Sequence, residues 1–219
     1  MKTALIFQGG WEGHEPAQIA EMIKAMLEAE AFSVEVHDNF ECLADAEKLA
    51  ALDLIVPAWT NGDTKPEYVQ NVCDAVENGT GIAGCHGGMC DTFRYETQWQ
   101  HMTGSQWVAH PGNDGVEYSV TLIEDGYFTK GLHDFTIVSE QYYLHVDPAV
   151  KVYATTRFPV IDGPHSPNGE VHMPVVYTKM WGRGRVFYSS LGHNLAVFDV
   201  PEAKEILRRG LLWAAGRQS

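Results

Sequence analysis

The most constraining feature of this chain is a change of hydrophobic period that repeats along its first hundred residues. Residues 3–7 are a short, nearly continuous apolar run bounded by glycines, the pattern of a strand covered on both faces. Pro16 then stands where the first turn of a helix tolerates proline. Ile19, Met22, Ile23, Met26 and Leu27 follow at i, i+3, i+4, i+7 and i+8, one buried stripe. Strands are expected at 32–36 and 52–56. Pro66 opens a second helix with Val69, Val72, Cys73 and Val76 on one face and Gly79 as its stop, and a further short strand follows at 81–84. Strand, helix, strand, helix in this rhythm implies a parallel sheet with right-handed crossovers.

The second half has another rhythm. Short β-like runs at 116–123, 135–138, 150–156, 175–179 and 186–189 are separated by turns. A closing helix presents Ile206, Leu207, Leu211 and Ala214 as its inner face. Residues 182–185 read as a hairpin turn with exposed arginines. The stretch 158–173, with Pro159, Pro164 and Pro167 and with Pro174 just beyond, reads as a long surface loop and a candidate lid. No linker rich in Ser, Gly or Pro divides the halves. The expectation is one α/β domain over 1–219, a parallel sheet with helices on both faces and an added β-rich layer.

Charge removes several function classes. Lys and Arg number 15 against 29 Asp and Glu, a formal charge of −14. Nucleic acid and anionic membrane surfaces are bound through clustered cations, so neither is an expected partner. No apolar run approaches the ~18 residues that cross a bilayer, and the N-terminus lacks a signal-peptide h-region. The four cysteines, Cys42, Cys73, Cys85 and Cys90, form no CxxC pair and suit a reducing cytoplasm. A homodimer is a further expectation.

Ligands of open parallel sheets bind beyond the carboxyl ends of the strands, and the unusual residues of this chain fall there. Gln8-Gly9-Gly10-Trp11-Glu12-Gly13-His14-Glu15 follows the first strand, Ala58-Trp59-Thr60-Asn61 the third, Gly84-Cys85-His86-Gly87-Gly88 the fourth, and Ser189-Ser190-Leu191-Gly192-His193 a late one. The fourth segment reads as a strand running into a sharp, glycine-flanked turn on strained backbone, as nucleophile elbows do. Strand alternation turns Cys85 inward and leaves His86 exposed at the apex.

That elbow resembles the class I glutamine amidotransferase fold, in which the apex is a cysteine within G-x-C-x-G and a partner histidine follows a late strand, as His193 does. Histidine at the apex argues against glutaminase activity. A narrower resemblance is to the ThuA-like trehalose-utilisation family. It is carried by Gly13-His14-Glu15, Gly81-Ile82-Ala83-Gly84-Cys85-His86-Gly87-Gly88, Val108-Ala109-His110-Pro111, Glu140 with Tyr142, Gly182-Arg183-Gly184-Arg185-Val186-Phe187-Tyr188, and Leu191-Gly192-His193. The resemblance implies a flavodoxin-like, amidotransferase-like fold without the nucleophilic cysteine. It also implies bacterial sugar catabolism, in particular of trehalose and its 3-keto derivatives.

The expected catalytic residues are His86, His193 and Glu140, working by acid–base chemistry on a 3-keto sugar or glycoside, with isomerisation, elimination or hydrolysis all open. A ketone acidifies the neighbouring C–H, so the reaction needs a base, an acid and donors to the enolate oxygen. His14, Trp59, His110 and Tyr142 are the expected substrate-binding residues. Each has a structural alternative: an elbow hydrogen bond for His86, a loop cap for His193, a helix-end contact for His14, a turn before Pro111 for His110, a solvated strand end for Glu140. Trp11, Trp59, Trp107 and Trp181 either stack on sugars or fill the core. One alternative is a divalent metal, zinc or manganese, with His14, His86, His110, His193 and Glu140 as candidate ligands. Another is a non-catalytic sugar-binding module.

Overall fold

The computed structural model describes residues 1–123 and 126–216. The expected alternation is present: β1 (Lys2–Gly10), α1 (Pro16–Ala29), β2 (Phe32–His37), β3 (Leu54–Thr60), α3 (Pro66–Glu77) and β4 (Gly81–Cys85), with a short α2 (Ala46–Ala50) before β3. Pro16 and Pro66 do occupy first-turn positions of α1 and α3. After β4 come α4 (His86–Cys90), α5 (Thr97–Thr103), β5 (Ser105–Ala109), β6 (Val116–Leu122), β7 (Phe135–Ser139), β8 (Tyr143–Val146), β9 (Lys151–Phe158), β10 (Val171–Trp181), β11 (Gly184–Ser189) and α6 (Pro201–Ala214).

Among the described residues the main sheet runs β2-β1-β3-β4-β11-β10-β9-β6-β7, with β5 and β8 paired separately. The pairs from β2 to β11 are parallel and those from β11 to β7 antiparallel. The flavodoxin-like parallel half is thus as expected, whereas most second-half strands extend the same sheet edge to edge instead of lying on it as a layer. The reason is that β11 returns beside β4, so the hairpin and meander that precede it are hydrogen-bonded outward from that edge. Helices cover both faces. Ile19, Ile23 and Leu27 of α1 share one core with Ile206, Leu207 and Leu211 of α6. Val69, Val72 and Val76 of α3 share the other with Trp99 and Met102 of α5.

Two registers place the site. Gly10 of β1 pairs with Thr60 of β3, and Cys85 of β4 with Ser189 of β11. The carboxyl ends of four strands therefore finish at one rim. The proline-rich segment is shorter than expected, 159–170, because β10 begins at Val171. It is fastened at its root. The buried Gln141 amide donates to Thr156 Oγ1 and the Arg157 carbonyl, and its oxygen accepts from Val160 N–H. Among the described residues no helix is long and apolar enough to cross a membrane.

Candidate functional site

The elbow is strained as expected: His86 opens α4 with φ 49°, the left-handed region that disfavours a side chain. Its exposure is not as expected. His86 is 1% exposed, because the ring folds inward instead of standing at the apex. Its Nδ1 lies 2.8 Å from the Ser190 carbonyl oxygen. It is stacked on Tyr142 with 3.9 Å between ring centroids. Cys85 is buried as expected, and burial pushes its thiol up to about 12.

His14, His86, Glu140 and His193 converge, one ligand atom of each lying within 4.8 Å of the others. Each arrives differently. His14 ends the short turn after β1, and its Nδ1 is 2.7 Å from Thr60 Oγ1. Gly87 lets it approach; a Cβ there would lie 2.8 Å from His14 Cε1. His193 follows β11. Glu140 comes from the segment after β7, although β7 is the far edge strand of the main sheet. That segment is held by Tyr118, whose hydroxyl donates to the Glu140 carbonyl.

Glu140 Oε2 lies 3.1 Å from His86 Nε2 and 3.3 Å from His193 Nδ1. Burial alone would push its carboxyl up, but the imidazoles of His193 and His86 hold it well below the usual carboxylate range. Burial, reinforced by His86 and His193, brings His14 down to about 3. Burial likewise lowers His86 despite Glu140. His193 is raised, chiefly by Glu140. The centre is thus one carboxylate among imidazoles of which two are held neutral.

The hydrogen-bond partners of His86 bear on whether a cation suits this centre. The Ser190 carbonyl only accepts, so His86 Nδ1 carries the proton. Nε2 then meets the carboxylate oxygen 3.1 Å away only with a second proton, in an imidazolium that burial disfavours, or with a cation in that proton's place. His193 Nδ1 is also buried and, though near Oε2, is not aligned for a hydrogen bond. Three imidazoles and one carboxylate are a donor set for a borderline divalent ion such as zinc or manganese. The residues fit such an ion.

The other expected residues divide. His110 is outside the four but adjacent, its Nε2 3.6 Å from Glu140 Oε1 and its side chain 26% exposed. It stacks on Trp107, whose carbonyl is held by Arg94, itself paired with Asp91. Tyr142 is buried against His86, a support for the ring and not an open contact surface. Trp59 alternates with Thr60 on β3 and packs on Phe40, 4.1 Å between centroids, away from His14. Thr60 and Ser190, which fix the His14 and His86 rings, were visible only as members of strand-end segments; no spacing singles them out.

Comparison with known proteins shows the family. The model of the ThuA family, described as trehalose utilisation, matches residues 3–214. The chain belongs to the ThuA family. No curated protein matches. Among solved structures, a ThuA-like protein from Bacteroides uniformis ATCC 8492 is 20% identical with a TM-score of 0.78, over 97% of this chain and 91% of that one. A ThuA-like protein from Parabacteroides merdae ATCC 43184 is 20% identical with a TM-score of 0.72, over 98% and 90%. The cytoplasmic protein STM1381 of Salmonella typhimurium LT2 is 13% identical with a TM-score of 0.66, over 99% and 98%. At these identities the structures show a shared ThuA fold, and the family description points to carbohydrate metabolism.

Proposed function

We propose that this ThuA protein is a cytoplasmic enzyme of carbohydrate catabolism acting on a 3-keto sugar or 3-keto glycoside of the trehalose type, at a divalent-metal centre held by His14, His86, Glu140 and His193. The observation that carries the metal is the buried His86 Nε2 facing Glu140 Oε2 with its Nδ1 proton already committed to Ser190. The sequence alone favours metal-free acid–base work by His86 and His193. Both are buried here, and His86 has both nitrogens engaged.

A bound divalent ion supplies Lewis-acid stabilisation of negative charge developing on a carbonyl oxygen. The chain's own residues do the rest. Thr60 and Ser190 fix the ring orientations of His14 and His86, as outer partners of ligating histidines do. Tyr142 closes the face of His86 against water. His110, the partly exposed imidazole beside the four, is placed to take the proton from the carbon next to the ketone. The electron pair of that C–H bond moves onto the ketone oxygen. When the ketone re-forms, the bond from the next carbon to the glycosidic oxygen breaks, and protonated His110 returns its proton to that oxygen. The products are an unsaturated keto sugar and the free alcohol, so atoms and charge balance.

The test is incubation with 3-keto-trehalose, before and after chelation, with elemental analysis of untagged protein. Glucose release that is abolished by chelator and restored by zinc or manganese is expected. Unchanged turnover after verified metal removal refutes the metal centre and returns the chemistry to the imidazoles alone.

A further inference from the structure

Trp11 is 52% exposed, unusual for so large an apolar side chain. It is not a loose surface residue. A Cβ on Gly13 would lie 2.5 Å from its Cζ2, so the bare glycine lets the indole lie flat on the chain. Its ring is edge-on to His14 at 4.6 Å between centroids and tilted to His193 at 6.1 Å. An open, fixed aromatic surface therefore borders two of the four clustered residues. The rim around it is acidic. Glu12 and Glu15 follow it in sequence, Glu15 Oε2 accepting from Leu195 N–H 2.9 Å away, and Asp114 and Glu15 both raise His193. Among the described residues none of these carboxylates is paired with a lysine or arginine.

We infer that Trp11 is the platform on which a neutral, unphosphorylated pyranose ring of the substrate stacks beside the His–Glu cluster. The C–H face of a pyranose is apolar and flat, and a rigid indole buries it at little entropic cost. The surrounding carboxylates accept from sugar hydroxyls and repel phosphate or uronate groups. This rests on the carbohydrate reading above. It also moves the aromatic contact from Trp59, which is packed on Phe40, to Trp11.

Calorimetric titration of the whole protein with trehalose, 3-keto-trehalose and glucose 6-phosphate tests it, using wild type, Trp11→Ala and Trp11→Phe. Wild type should bind a neutral sugar, Trp11→Ala should bind it about 10-fold more weakly, and Trp11→Phe within about 3-fold. Zinc affinity should be equal in all three, separating stacking from damage to the cluster. The sugar-induced change in tryptophan fluorescence should disappear in Trp11→Phe, a second readout independent of how the alanine variant folds. Neutral-sugar binding retained by a folded Trp11→Ala, or a fluorescence change retained by Trp11→Phe, overturns this inference alone, as does tighter binding of glucose 6-phosphate. No sugar binding by wild type overturns the carbohydrate reading and this inference together.

Discussion

Replacing Glu140 by glutamine keeps the shape of the side chain and removes its charge. The carboxylate is 5% exposed and within 3.3 Å of nitrogens on both His86 and His193. Withdrawing one member of a buried charge pair costs about 3–5 kcal/mol. For a cation held by this set that corresponds to about a 150- to 5,000-fold loss of affinity. The metal-free protein should respond quite differently. There the imidazoles favour the ionised carboxylate by more than its desolvation costs, so losing its charge should lower the melting temperature, by about 2–4 °C for each kcal/mol of that difference. Competitive titration against a chromophoric chelator gives the zinc affinity of each form, and melting with and without zinc gives an independent reading. Free zinc at 100 times the wild-type Kd should stabilise wild type by about 2.7 kcal/mol and Glu140→Gln by about 0.4 kcal/mol or less. Zinc affinity of Glu140→Gln within about 3-fold of wild type would refute the assignment of Glu140 as a ligand.

Three further outcomes are expected. Native Cys85, buried and raised to about 12, should resist thiol labelling at pH 8 until the protein unfolds, and rapid labelling would revive a cysteine nucleophile at the elbow. Arg208, with Arg209, holds the Glu205 carboxyl down at about 2. Its stabilisation is therefore present above the unfolded value near 4.3 and lost as pH falls towards 2. With screening it amounts to about 1 kcal/mol; Glu205→Gln should lose that at pH 7, and equal melting temperatures at pH 7 and at pH 3 would contradict it. Gly210 of α6 faces Phe187, where a Cβ would lie 2.2 Å from the ring. Overpacking of about 1–3 kcal/mol outweighs the helix-propensity gain of at most ~1 kcal/mol. Gly210→Ala should melt about 3–6 °C lower, and a higher melting temperature would show that Phe187 yields freely.

Local apolar periodicity was enough to place the parallel half of the fold and the address of the site. Periods of two and 3.6 residues are local, so β1, α1, β2, α3 and β4 are legible in the order of their apolar residues. The prolines at 16 and 66 mark where helices start. Four short elements were not legible: α2, α4, β5 and β8 span four or five residues each, too few for a period to be told reliably from chance, although β4 and β7, equally short, were read. His14, His86 and His193 lie at strand ends that parallel pairing must bring to one rim. Their convergence therefore follows from topology. Tertiary structure alone decided three things. It carried Glu140 from the edge strand β7 onto His86, a contact between residues 54 apart in sequence that no local pattern encodes. It turned His86 inward, because a carbonyl on β11's exit loop and the Tyr142 ring together offer the imidazole a hydrogen bond and a stacking surface that solvent at the apex does not. And it chose between tryptophans: β-strand alternation sends Trp59 to Phe40 on the face opposite Thr60, while the turn over Gly13 leaves Trp11 open beside the cluster. Spacing along a chain determines which residues share an element, but which of them share a site depends on where separate elements end in space.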